Sequence, residues 1–228
     1  MPVHTKAYKE LSETLGKKGV TLVAVSKTKP VEDIQALYDL GHRDFGENYV
    51  QELMEKQSRL PADIRWHFIG HLQSNKVRSI APFVHLIHGV DSYKLLKTIE
   101  KEAIKYQRVM QCLLQVHIAK EETKFGLDAA ELEEVMTGIS DKGNPLTNVI
   151  VSGLMGMASF TESSEQIRTE FRYLRSLFDK FFTHGSRPPS AGDSFPILSM
   201  GMSSDYQLAV EEGSNMVRIG SLLFGARN

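Results

Sequence analysis

The sequence contains a single cysteine, Cys112, in 228 residues. One thiol cannot form an internal disulfide, and within the apolar run "MQCLLQV" it reads as a small buried side chain rather than a nucleophile. No stretch approaches the roughly 18 continuous apolar residues of a membrane span. The opening "MPVHTKAYKELSE" has no apolar core of the kind a signal peptide carries. A reducing, cytoplasmic location is the expectation. Charge of either sign is not in surplus: the formal net charge is -1 and the isoelectric point about 6.7. That removes any general attraction to nucleic acid or to an anionic membrane, and neither is expected as a partner. With 41% hydrophobic and 24% charged residues, what remains is an ordinary globular composition, long enough to bury a full core.

Runs rich in Val, Ile, Leu and Phe recur along the chain, separated by stretches of helical spacing. Eight are visible: Val20 to Ser26, Arg43 to Glu47, Ile64 to Gly70, His85 to Asp91, Val109 to Ile118, Asn148 to Met157, Phe195 to Met202 and Asn215 to Ser221. Between the first two, "PVEDIQALYDLG" starts with Pro30 just inside a helix and stops at Gly41. "SSEQIRTEFRYLRSLFDKFF" sets Ile167, Phe171, Leu174, Phe178 and Phe181 on one stripe of an amphipathic helix, a core-facing pattern. Eight strand-helix units in this length predict a (β/α)8 TIM-type barrel. A doubly wound open sheet would call for a glycine-rich phosphate turn after the first strand, and "SKTKPVED" has no glycine. Only three residues follow Gly225, so the eighth helix must be truncated, and an extra N-terminal helix with Tyr8, Leu11 and Leu15 on one face could cover the barrel in its place. No domain boundary is visible, so residues 1–228 are expected to form one domain. "HGSRPPSAGDS", His184 to Ser194, is expected to be a loop on the face away from the chemistry.

Barrel sites form at the carboxyl ends of the strands. Strand alternation puts Val23, Val25 and Lys27 on one face, so if the valines point inward, Lys27 enters the barrel mouth. A partly desolvated amine there is suited to Schiff-base formation with an aldehyde. Lys29, two residues on and directly before Pro30, is expected in solvent. "LSMGMSSDYQLAV" closes a strand at Ser199, passes Gly201 and enters a helix with Ser203, Ser204 and Asp205 as cap candidates. "VRIGSLLFG" closes the last strand with Arg218, Gly220 and Ser221. Glycines that admit a close ligand, serine hydroxyls and backbone N–H groups together describe a phosphate cup, in the place where barrels often have one. Arg218 shares a face with Met216 and Gly220 and should point inward, either paired with an acidic residue such as Glu47 or donating to a ligand. Histidines suggest no metal site: His67 and His71 straddle Gly70, and His85 and His88 lie on opposite faces of a strand, so neither pair makes a helical zinc face.

An imine-forming lysine, a phosphate cup and a fixed cation make a site for pyridoxal 5'-phosphate (PLP). "AVSKTKP", "FGENYVQE", "WHFIGHLQSNK", "KFGL", "GLMGM", "LSMGMSSDYQLAV" and "MVRIGSLLFG" resemble, in order and over nearly the whole chain, the signature segments of the pyridoxal phosphate homeostasis protein family, single-domain relatives of the alanine racemase N-terminal barrel. The resemblance implies that Lys27 carries the cofactor as a Schiff base. It implies that Ser199, Gly201, Gly220 and Ser221 hold the phosphate and that Arg218 faces the pyridine nitrogen. Asn48 and His67 are implied as neighbours of the cofactor ring. Ser221 stands where many relatives are expected to have threonine, which keeps the hydroxyl.

A guanidinium stays charged and cannot accept a pyridinium proton, which weakens PLP as an electron sink. Racemization also needs acid/base groups on both faces of the cofactor. In alanine racemases the second is a tyrosine from another domain, and this chain ends at Asn228 with no sign of that domain. The resemblance therefore implies a protein that binds PLP and supports its homeostasis and delivery without an established turnover; a monomer is expected, with other B6 vitamers as further ligands and PLP-dependent acceptor enzymes as partners. Amino-acid racemization is the alternative, and a metal or Schiff-base lyase on a barrel is a third reading. A second lysine, Lys124 in "TKFGL", follows the fifth strand and could serve cofactor release.

Overall fold

The computed structural model describes residues 3–121, 125–141, 143, 145–183 and 196–225. Eight parallel strands pair in chain order and close on themselves: β1 (Thr21–Val25), β2 (Asp44–Glu47), β3 (Arg65–Phe68), β4 (Leu86–Val90), β5 (Met110–Val116), β6 (Val149–Gly156), β7 (Ile197–Ser199) and β8 (Met216–Ile219). This is the (β/α)8 barrel expected from the repeat of apolar runs. The segments Lys124 and His184 to Phe195 lie outside the described residues, so the expectations for that lysine and that loop have no structural counterpart.

The helices form as their punctuation dictates. α1 (Thr5–Lys17) precedes the barrel with Tyr8, Leu11 and Leu15 buried, and it packs on β1 and on the four-residue α9 (Ser221–Phe224). It thus covers the ground that a full eighth helix would occupy. α2 (Val31–Asp39) has Pro30 at its N-cap, one residue earlier than expected. It ends where Gly41, at φ 94°, lets the Gly41 and His42 N–H groups return to the Tyr38 and Leu37 carbonyls. α3 (Val50–Arg59), α4 (Val77–Ile80, entered through a 3-10 turn at Ser74–Lys76), α5 (Tyr93–Lys105), α6 (Ala129–Ser140), α7 (Ser164–Phe182) and α8 (Tyr206–Glu211) complete the outer layer. The apolar stripe of α7 closes on Phe182, which is buried, while Phe181 is only partly covered. No helix among the described residues is long and apolar enough to cross a membrane.

Two apolar layers result from strand alternation. Outward-facing strand residues such as Ala24, Phe45, Phe68 and Ile87 join the helices in the large core. Inward-facing Val23, Leu86, Leu113, Met155 and Met216 plug the barrel itself. Cys112 is fully buried on the outer side, and burial pushes its thiol pKa up, away from thiolate chemistry. The interior also holds buried polar side chains, among them His67 and His88. A cavity opens at the carboxyl ends of the strands.

Candidate functional site: a lysine-lined cavity at the barrel mouth

The cavity, about 430 Å³, sits at the carboxyl ends of the strands. Lys27 reaches it as the alternation of Val23 and Val25 requires: Val23 is in the interior plug, Val25 and Lys27 line the cavity. Lys27 is the second residue of a four-residue turn, closed by the Lys29 N–H donating to the Ser26 carbonyl at 3.0 Å, with Thr28 in the left-handed region at φ 63°. That turn carries Lys29 into the cavity wall as well, whereas an extended chain before Pro30 would have left it in solvent. Sequence reading missed this because neither glycine nor asparagine marks the left-handed position.

The turn is held from outside the barrel by a buried ion cluster. Lys56 of α3 donates to the Ser26 carbonyl at 2.7 Å, to Glu47 at 2.8 Å and to Glu52 at 2.7 Å. The Ser26 hydroxyl donates to Glu47 at 2.6 Å, and the Thr28 N–H donates to Glu52 at 2.6 Å. Lys27 is thus flanked by two clamped residues. Burial pushes the Glu47 pKa up, with the Lys56 charge opposing it.

On the neighbouring strand β8, where it pairs in register with Val23, Arg218 lines the cavity and is buried. It does not pair with Glu47, since Glu47 alternates outward with Phe45 while Arg218 points inward. Its three hydrogen bonds go to neutral acceptors: Nη1 donates to the Ser199 carbonyl at 2.9 Å and to Ser199 Oγ at 2.6 Å, and Nη2 to the Gly156 carbonyl at 3.0 Å. Burial lowers its pKa to about 10, with Asp205 acting the other way.

Of the eight residues singled out from sequence, Lys27, Asn48, Arg218, Gly220 and Ser221 line one cavity. Three do not. Ser199 is fully buried beneath Arg218, because it closes β7 one layer below the opening. Gly201, at φ 96°, is spent on packing: a Cβ there would lie 2.6 Å from Ala209 Cβ and 3.0 Å from Tyr206 Cα of α8. His67 faces inward but below the mouth, and Ile69, two residues on along the same face, takes the lining position. The hydroxyls beside Gly220 and Ser221 are instead those of Ser203 and Ser204, and Ser203 Oγ accepts from the Gly220 N–H at 3.2 Å. Their sequence signal was present but read as helix capping; Asp205 takes the cap position before α8 and its carboxylate accepts from the Met202 N–H at 2.6 Å. Met157, Phe160 and Leu222 add apolar lining; the first and last lie within the segments "GLMGM" and "VRIGSLLFG" without having been singled out, and Phe160 lies outside the signature segments.

The remaining histidine expectations divide. His71 pairs with Asp91 at 3.1 Å and stacks on Phe125, pointing away from His67. His85 and His88 do not diverge: both rings pack on His67, at 5.4 and 5.2 Å, because β4 begins only at Leu86 and His85 is free of its alternation. Among the described residues, no group of three or more His, Cys, Asp or Glu side chains is arranged to hold a metal ion.

The donor set fits a phosphorylated pyridine aldehyde: an amine for the aldehyde, three serine hydroxyls on one side for a phosphate, and a fixed guanidinium. Asn48 Oδ1 adds a buried acceptor with no hydrogen-bond partner among the described residues, which a ligand hydroxyl would satisfy.

Fold and site together define a barrel of the alanine racemase N-terminal-domain type, and a sequence model of that domain family matches residues 5–228. The chain belongs to the pyridoxal phosphate homeostasis protein family. It is 40% identical over 213 residues to the pyridoxal phosphate homeostasis protein of Aquifex aeolicus, covering 93% of this chain and 89% of that protein. With the Schizosaccharomyces pombe protein of the same name it shares 34% identity over 221 residues, covering 96% and 89%. The structure of PipY from Synechococcus elongatus with PLP bound superposes with a TM-score of 0.83 at 34% identity, covering 96% of this chain and all of that one. Alanine racemase from Bartonella henselae, at 15% identity and a TM-score of 0.66, covers 97% of this chain but 59% of its own, and shares the fold alone.

Proposed function

We propose that this protein binds PLP in the barrel mouth as a Schiff base on Lys27, and that it holds and delivers the cofactor in the cytoplasm, as a monomer, without a turnover reaction of its own. The observation that carries the reading is the convergence of Lys27, Asn48, Arg218, Gly220 and Ser221 on one cavity at the carboxyl ends of the strands. PLP supplies an aldehyde that condenses with an amine: a C=N bond replaces C=O, and one water leaves, so release needs only water or a second amine. Lys27 provides the amine, and the clamp of Lys56, Glu47 and Glu52 keeps its backbone turn in place. Ser203, Ser204 and Ser221 would hold the phosphate by donating hydroxyl protons. Arg218 would present a charged donor that cannot take up a proton from the ring.

A holder suits this cavity better than a racemase does. Among the described lining residues none is a tyrosine, histidine or carboxylate, and the two lysines, Lys27 and Lys29, come from one turn. Proton transfer on two faces of a substrate asks for bases on opposite walls. Reversible capture by an exposed-rimmed cavity suits exchange with other B6 vitamers and with PLP-dependent acceptor enzymes. The test is a pair of measurements on purified protein. Lys27→Ala is expected to remain folded by circular dichroism while losing the absorbance of covalently held PLP. The PLP-loaded protein is expected not to interconvert L- and D-alanine; turnover that scales with PLP occupancy would establish the racemase reading instead.

A further inference from the structure

Beneath the cavity a file of polar side chains runs through the barrel interior to its opposite end. Arg218 Nη1 donates to Ser199 Oγ at 2.6 Å, and Ser199 Oγ lies 3.4 Å from His88 Nδ1. His88 Nε2 lies 3.0 Å from His67 Nδ1, and His67 Nε2 lies 3.0 Å from Asp44 Oδ1. Asp44 is held in turn by a two-pronged contact from Arg65, whose Nε donates at 2.7 Å. Ser199, His88 and His67 are each at most 1% exposed, so bulk solvent does not reach them. Burial, helped by the charge of Arg218, holds the His88 pKa far below its ordinary value, so this ring is neutral and has one N–H. Burial opposes the charge on Asp44, but the bonds from Arg65 and His67 outweigh it and keep the carboxyl ionised.

Donor accounting then allows one direction for neutral rings. A carboxylate can only accept, so His67 must carry its proton on Nε2. His67 Nδ1 is then an acceptor, so His88 carries its proton on Nε2 and accepts on Nδ1. The Ser199 hydroxyl donates to that nitrogen and turns a lone pair to Arg218. The reverse order would set two acceptors face to face at Asp44 unless His67 held a second proton.

We propose that His88, His67 and Asp44 are positioning residues, a one-way hydrogen-bond relay that holds the Ser199 hydroxyl as an acceptor and thereby fixes the Arg218 guanidinium in the cavity wall. The relay needs no ligand, and only its effect on affinity rests on the PLP reading. Its first test is nitrogen NMR of the ligand-free protein with labelled histidine and arginine. The relay requires Nε2–H on both His67 and His88 and a guanidinium of Arg218 whose rotation is slow. An Nδ1–H tautomer at either ring, or a doubly protonated His67, overturns it. The second test is Asp44→Asn at the far end of the barrel, where an amide can donate as well as accept and the direction is no longer imposed. The variant is expected to show mixed tautomers, faster Arg218 rotation and PLP affinity weakened roughly three- to tenfold, the worth of about one hydrogen bond. Asp44→Glu, which restores an obligate acceptor, is expected to recover the wild-type tautomers. Unchanged tautomers in Asp44→Asn overturn the relay, and changed tautomers with unchanged PLP affinity overturn its role in positioning Arg218. Wild-type protein that binds no PLP would instead overturn the cofactor reading and leave the tautomer result to stand or fall alone.

Discussion

Lys27 owes its place to residues that touch no ligand. Three acceptors converge on the buried Lys56 ammonium, and two of them, the Ser26 carbonyl and Glu52, tie directly to the backbone on either side of Lys27. Removing one partner from a buried ion cluster leaves uncompensated charge, which typically costs about 3–5 kcal/mol. Lys56→Met is therefore expected to lower the urea midpoint by an amount equivalent to about that loss, and in whatever fraction folds, to loosen the lysine turn; a midpoint within error of the wild type would show that the cluster is not coupled to stability. At this scale the sequence was informative in an uneven way. Alternation from Val23 to Lys27 announced which face the amine would occupy, and the same rule put Arg218 inward. What alternation does not carry is height along the barrel axis. Ser199, His67 and Ile69 all point inward, yet only Ile69 reaches the cavity. The left-handed Thr28 was equally silent, and with it the turn that brings Lys29 to the same wall.

Elements meet in this barrel through positions where a side chain would have no room. Gly153 sits at φ 154° beside the shift in register between β5 and β6, and a Cβ there would fall 1.9 Å from the Ile197 carbonyl oxygen of β7. Gly153→Ala is expected to destabilise by more than about 1 kcal/mol, since both the backbone and the neighbouring strand must shift. A denaturation curve superimposable on the wild type would contradict the bulge geometry. The element count was legible because the apolar runs recur with helical spacing between them, and Pro30 and Gly41 bracket α2; Ser92, Asp128 and Ser163 also cap their helices by accepting backbone N–H bonds. Less legible were the short pieces. β7 has three residues and α9 four, lengths at which neither periodicity nor capping speaks clearly, and these are the elements that frame the serine-lined side of the cavity.

Inside the whole molecule an apolar plug and a file of buried polar side chains share the barrel interior beneath an open mouth. The buried histidines give it an acid sensitivity. His42 and His88 are both buried, and burial lowers both pKa values, that of His88 well below its ordinary value. For groups depressed in the folded state, stability is present above the unfolded value and lost as pH falls. The unfolded chain takes up these protons near the ordinary 6.5, so stability should decline below that pH, by up to about 1.4 kcal/mol per pH unit for each proton. Asp44, depressed in the same sense, adds a second loss below its ordinary 3.8. Urea midpoints measured from pH 7.5 to 5 are expected to fall, and a flat profile would contradict the burial of neutral histidines.

Capture of PLP by Lys27 at the mouth of this barrel is read out by incubating the protein with PLP, reducing with borohydride and mapping the labelled peptide. A yellow protein is expected whose visible band is lost on reduction, with the cofactor mass on the peptide containing Lys27. A label confined to Lys29 or to another lysine, or no covalent label at all, would contradict it.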